Sequence, residues 1–272
     1  MKPKKSPVIR VIGFLALIFI GATLVLGLKI TPPDAIQGQM VRIIYIHPPL
    51  AWVAFLAYGT TAIASGLYLW KRTRARIWDQ LSGASAEVGV VFTGLTLVTG
   101  SIWGRPTWGV WWTWDPLLTA TALLFVLYLG YLALRKLPGD INQRSKRSAI
   151  AALIAFIDVP IVQMSVLWWH SLHQKPTVFN PGQPAQIHGI MADTLLIGFI
   201  AFTLVWLWLL FTRLGVIKLE EKIELYGLEV ALRERRGEVN KDLVETSQDS
   251  HSKTSLSTSS KQGPDSQVLV QK

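Results

Sequence analysis

The chain has 272 residues, half of them hydrophobic and only 16% charged, against roughly 25% charged in soluble domains. Its net charge of +10 lies in short clusters beside long apolar runs, which points to a membrane surface and away from nucleic acid. With no cysteine, disulfides, thiolate metal sites and cysteine nucleophiles are excluded.

In chain order, six segments approach the roughly 20 apolar residues that a helix needs to cross the hydrocarbon layer: 8–28, 50–70, 81–102, 117–134, 148–169 and 189–211. They predict an all-α, polytopic membrane protein with six transmembrane helices. The first span follows Lys2, Lys4 and Lys5 but is longer than the roughly 7–15 residues of a signal-peptide core. No small-residue cleavage pattern follows it, so it is expected to be retained. Gly83, Ser85, Gly89 and Gly94 in the third span suit close helix packing in lipid.

The connections alternate in charge. The N-terminus, 71–76, 135–147 and 213–218 are rich in Lys and Arg, and the other three connections are poor in them. The positive-inside rule puts the basic set in the cytoplasm. An even number of spans returns both termini to that side. After the last span, Leu219, Ile223, Tyr226 and Val230 fall near helical spacing between charges, which predicts an amphipathic helix at the membrane surface or against a partner. From Val239 on, Ser, Thr, Lys, Gln and Asp dominate, the composition of a disordered segment. The expected organisation is a membrane domain over 1–212, an amphipathic helix over 213–238 and a polar tail over 239–272.

The three charge-poor connections hold the unusual residues. The first carries Arg42, Tyr45 and His47, the second runs Trp103-Gly-Arg-Pro-Thr-Trp108-Gly-Val-Trp111-Trp112-Thr-Trp114-Asp115-Pro116, and the third opens on Trp168-Trp169-His170-Ser171-Leu172-His173 and ends near His188. Five of the twelve tryptophans fall between 103 and 114. An interfacial aromatic belt explains one or two at a helix end. Gly104, Pro106 and Gly109 predict instead that the helix stops and the chain folds back, forming an apolar platform for a large planar ligand.

His47 and His173 can flank that platform from opposite sides, and paired neutral imidazoles are a familiar ligand set for haem iron. His170 is the alternative to His173 if the fifth helix extends that far. His188 and the tail's His251 read as ordinary hydrogen-bonding residues. Zinc is the competing metal, but structural zinc wants four ligands, usually with thiolates or close histidine pairs. Arg42 reads either as an interfacial side chain with its head in water or as the partner of an anionic group such as a propionate. Asp115 before Pro116 reads first as a helix cap that also fixes the end of the tryptophan loop. Glu87 and Asp158 are acids well inside spans, and intramembrane acids are functional candidates by default.

The run from Trp103 to Asp115 closely resembles the tryptophan-rich "WWD" signature of haem-handling membrane proteins. Arg42-Ile-Ile-Tyr-Ile-His47 with Pro-Pro-Leu-Ala-Trp52, and Trp168-Trp-His-Ser-Leu-His-Gln174, resemble the two histidine segments of the haem exporter protein C (CcmC) family of cytochrome c maturation. The resemblance runs from the first span to about Arg236. It implies that haem b is held at the outer face of the cell membrane and delivered to a periplasmic haem chaperone. An ABC transporter and a small single-span membrane subunit are the implied partners. His47 and His173 would be the axial ligands and Arg42 a propionate partner. Trp103, Trp108, Trp111, Trp112, Trp114 and Asp115 would build the platform.

Where relatives often carry Arg after the Asp-Pro pair, this chain has Leu117, with Arg105 a possible substitute. Where they often carry Asn, it has His170. A related cytochrome c synthase shares the WWD loop, so attachment of haem to apocytochrome c is the alternative function. A b-type electron-transfer cytochrome and a haem transporter are further alternatives.

Overall fold

The computed structural model describes residues 7–173 and 187–259, with backbone alone at 231, 233, 234 and 238–259. The described residues form helices and no named strand. They comprise α1 (Pro7–Val25), α2 (His47–Leu69), α3 (Arg76–Trp108), α4 (Pro116–Lys136), α5 (Ile141–Phe156), α6 (Asp158–Trp168) and α7 (Ile190–Ser259). A π turn over Leu26–Ile30 extends α1, and a 3-10 helix over Gln39–Tyr45 precedes α2. Joined where they are nearly continuous, these give six stretches long and apolar enough to cross a membrane. The protein is an all-α, polytopic membrane protein.

Two element boundaries differ from the expected spans. The third helix does not stop at Ile102: α3 continues through Gly104 and Pro106 to Trp108 and ends at Gly109, whose φ of 81° is left-handed. Pro106 lies in the last turn, where the loss of one N–H costs a single bond. Gly109 takes the end conformation open to a residue without Cβ, and its N–H donates to the Arg105 carbonyl at 3.0 Å. Arg105 Nη1 in turn donates to the Gly109 carbonyl at 2.6 Å. Arg105 thus closes its own helix.

The fifth span is divided at Ile157 into α5 and α6. Pro160 cannot donate to the Phe156 carbonyl four residues back, and α5 ends at that residue. At the other end of α5, Asp140 caps the helix by accepting from the amides of Asn142 and Gln143.

The core lies between α2, α3, α4 and the α5–α6 pair. Tyr58 of α2 stacks on Tyr128 of α4 at 3.7 Å between ring centroids, and its hydroxyl bonds Thr93 of α3 at 2.7 Å. Small residues on α3 permit this approach. A Cβ at Gly89 would meet Tyr58 at 2.7 Å, and one at Gly83 would meet the Arg135 guanidinium at 2.8 Å. Arg135, in the last turn of α4, donates to both oxygens of buried Asp79 near the start of α3, at 2.7 and 3.2 Å.

Glu87 of α3 is paired with Arg213 of α7, with Arg213 Nη2 donating to Oε1 at 3.0 Å. Asp158 is buried at the α5–α6 break, and its Oδ2 has no hydrogen-bond partner.

The packing divides between Ile217 and Lys218. α7 carries no break at 212/213 or 238/239, where the sequence suggested boundaries. In the second unit Ile223 and Tyr226 are exposed. Residues 260–272, part of the expected polar tail, lie outside the described residues, and so does Gln174 of the histidine segment.

Candidate functional site

The site is a cavity of about 510 Å³ within the first unit, inside the roughly 300–1,000 Å³ range of small-molecule sites. Residues of α2, α3, α4, α6 and α7 line it, together with Trp112 and His173 from the segments between helices. His47 and His173 both stand on its wall, and Trp108 and Trp112 lie between them in the chain. The wall is largely apolar, with Phe55, Leu124 and Val162, and carries Thr93, Thr96, Ser101, Thr121 and Gln163 among its polar side chains.

His47 is the first residue of α2, followed by Pro48 and Pro49 in the turn where no N–H is needed. Its Nδ1 lies 3.0 Å from the Thr99 hydroxyl. That hydroxyl also lies 2.8 Å from the Leu95 carbonyl and 3.2 Å from the Thr96 carbonyl, either of which can take its one proton. With the proton so placed, the hydroxyl accepts from Nδ1–H and Nε2 keeps its lone pair. This is the tautomer that can ligate a metal. Gly100 makes room for the ring, since a Cβ there would meet His47 Cε1 at 3.1 Å.

Trp103 packs edge-on against His47, 5.8 Å between centroids, and donates from Nε1 to Gln37 Oε1 at 2.8 Å. Gln37 is held in turn by Asp34, whose carboxylate accepts from the amides of Gln37 and Ile36 at 2.7 and 2.8 Å. Those amides hold the Asp34 carboxyl below its ordinary value.

His173 is positioned by Asp115. That buried carboxylate accepts from the Leu117 amide at 2.9 Å, capping α4. It also accepts from the Ser171 hydroxyl at 3.0 Å and the Leu172 amide at 2.7 Å. His173 Nδ1 faces Asp115 Oδ1 at 3.5 Å; it is buried and, among the described residues, lacks a partner of full hydrogen-bond geometry. Trp108 meets the His173 ring edge-on at 4.7 Å.

Burial lowers the pKa of His173, and Asp115 only partly offsets the shift, which favours the neutral imidazole that a ligand must be. Desolvation pushes the Asp115 carboxyl up. The Leu172 amide, the Ser171 hydroxyl, the Leu117 amide and the charge of His173 together outweigh it and hold the carboxyl below its ordinary value.

The other sequence candidates take separate places. His170 follows the end of α6 at Trp168 and is exposed, away from the cavity wall, and His188 is exposed as well. The tryptophans do not form one flat platform. Trp108 and Trp112 line the cavity, Trp103 backs His47, and Trp111 and Trp114 stand exposed, with Trp114 edge-on to Trp112. Arg42 directs its guanidinium to the backbone carbonyls of Leu28 and Thr31 and does not line the cavity. Among the described residues, no three His, Asp or Glu side chains gather as a metal cluster.

Thr99, Gly100 and Ser171 were not singled out in the sequence. Thr99 and Gly100 belong to no motif, and only the adjacency of Ser171 to the histidines hinted at a role.

A family model described as heme exporter protein C matches residues 3–226. Heme exporter protein C of Haemophilus influenzae is 38% identical over 212 residues, 77% of this chain and 85% of that protein. The Bradyrhizobium diazoefficiens protein of the same name is 38% identical over 66% of this chain and 67% of its own length. A putative cytochrome c biosynthesis ccmC-like mitochondrial protein of Arabidopsis thaliana is 38% identical over 72% of this chain and 73% of its own.

Proposed function

The chain belongs to the heme exporter protein C family, and from that membership in a haem-handling family of cytochrome c maturation we propose that it holds haem b between His47 and His173 and passes it to a haem chaperone. The observation that carries this reading is the meeting of the two histidines, far apart in sequence, on the wall of one largely apolar cavity. The haem is cargo here, and its iron offers two axial positions. His47 and His173 fill them through Nε2, each with Nδ1 turned to its own partner.

Trp108 and Trp112 bound the macrocycle with apolar surface, while Trp111 and Trp114 present aromatic area to an approaching protein. Arg42 meets a propionate by exchanging its carbonyl contacts for a carboxylate, which a guanidinium matches in bidentate fashion. The excess of Lys and Arg in alternate connections supports an extracytoplasmic position for the cavity in the cell membrane. ABC transporter subunits and a small single-span subunit complete the assembly.

Purification of the full-length protein in detergent from haem-replete cells tests the ligands by visible spectroscopy. We expect a six-coordinate, bis-histidine spectrum that is lost or changed in both His47→Ala and His173→Ala. A parent without haem, or with a spectrum unmoved in both variants, would refute the assignment. Co-purification of a small haem chaperone supports delivery; recovery of apocytochrome c with covalently attached haem would point to synthesis instead.

A further inference from the structure

The two histidines are backed unequally. His47 Nδ1 faces a neutral hydroxyl, that of Thr99, at 3.0 Å, and that hydroxyl also reaches the carbonyls of Leu95 and Thr96. His173 Nδ1 faces a buried carboxylate, that of Asp115. At 3.5 Å and without full hydrogen-bond geometry, the carboxylate acts on the ring as a nearby negative charge, and a carboxylate behind a ligating imidazole raises its basicity toward the metal.

The helix field acts in the same direction. His47 opens α2, a helix of 23 residues, and the positive end of that dipole opposes the positive charge an imidazole gains on ligation. His173 lies in a non-helical segment. Asp115 also ties that segment to α4 through Ser171 and Leu172, so His173 is held in place as well as made more basic.

We propose that Asp115 and Thr99 are positioning residues that make the two axial bonds unequal, so that His173 keeps the iron while His47 is the ligand given up first when haem is handed on. This rests on the haem-binding reading above. The exchange is balanced: the bond from iron to His47 Nε2 breaks as one to an incoming neutral donor atom forms, with no net transfer of a proton or an electron. His47 is then left with its lone pair free and its Nδ1–H still on Thr99.

The test uses the full-length, haem-loaded protein with Asp115→Asn and Thr99→Val, each checked for folding by thermal melt. Asparagine retains helix-capping ability but removes the charge together with one of the two acceptor oxygens, which bind the Leu172 amide and the Ser171 hydroxyl. Ser171→Ala, which loosens the same segment and keeps the charge, is therefore the control for a merely structural role and should leave the potential unmoved. Two readouts are taken: the reduction potential and the rate of haem loss to an apoprotein acceptor.

Asp115→Asn is expected to shift the potential positive, because removal of a negative charge behind the ligand favours ferrous iron, and to speed haem loss by about 10-fold or more. Thr99→Val is expected to change both far less. In addition, His47→Gly with added imidazole should regain the six-coordinate spectrum, while His173→Gly should lose haem before imidazole can restore it.

Equal effects of the two backing variants, a larger effect of Thr99→Val, or rescue of His173→Gly alone would overturn the assignment while leaving bis-histidine binding intact. A parent without bis-histidine haem would remove the underlying reading as well. If Asp115→Asn fails to fold, the imidazole rescue of the two glycine variants decides by itself.

Discussion

At the scale of single residues, the histidines and tryptophans were visible in the sequence because their types are rare and clustered. The residues that aim them were not. Thr99 and Gly100 sit in a run of Leu, Val, Thr and Gly that reads as ordinary span, and their meaning appears only when α3 comes against His47. Gly100→Val should push the imidazole off its position, and haem recovered per protein, measured by haem extraction, should fall several-fold with little change in helix content.

Asp115 was legible as a cap, but its second set of partners lies more than fifty residues further along the chain, beyond the reach of any local pattern. His173 and Asp115 also set a pH response. His173 has a folded pKa below its ordinary 6.5, so between those two values the unfolded chain binds more protons than the fold. Its contribution to stability is full above pH 6.5 and declines as the pH falls toward the folded value. Asp115, lowered from 3.8, adds a further loss only below that value. The haem-free protein should therefore melt lower at pH 5 than at pH 7.5, and His173→Gln should remove part of that difference.

At the scale of elements, the spans followed from length and hydropathy, and their ends were the harder part. Gly104 and Pro106 suggested a break that the last turn of a helix can absorb. Pro160 lies inside what length and hydropathy read as one span, and with buried Asp158 it marks where that span divides in two. The ion pairs were also hidden. Asp79 and Arg135 stand 56 residues apart in the chain, and the fold brings them together in a buried bidentate contact.

Removing one partner of a buried pair typically costs about 3–5 kcal/mol, whereas replacing both by apolar residues is often neutral. Asp79→Ala should accordingly lower the melting temperature in detergent markedly, and Asp79→Leu with Arg135→Met should recover much of the loss. A double variant as unstable as the single one would mean that the pair acts through packing rather than charge.

At the scale of the whole molecule, every residue lining the cavity precedes Ile200. Removal of residues 239–272 should therefore leave the haem spectrum of the purified protein unchanged, while any effect on delivery would assign the tail to partner contact. The lack of cysteine makes sidedness directly measurable: a single cysteine at Lys71 should resist a membrane-impermeant maleimide in intact cells, and one at Trp114, which is exposed, should react.

The length of α3 bears on who can reach the cargo. Its 33 residues span about 50 Å at 1.5 Å each, against about 30 Å of hydrocarbon. The contact between Asp79 and Arg135 levels the start of α3 with the end of α4. Counting back along α4 to Pro116 therefore brings its other end level with about residue 98 of α3. The stretch from Thr99 to Trp108 stands beyond it by about 15 Å. That overhang works as a mast: it holds Trp103 and Trp108 beyond the end of α4, so that, on the delivery proposed above, a water-soluble acceptor would meet the edge of a lipid-soluble cargo without entering the bilayer.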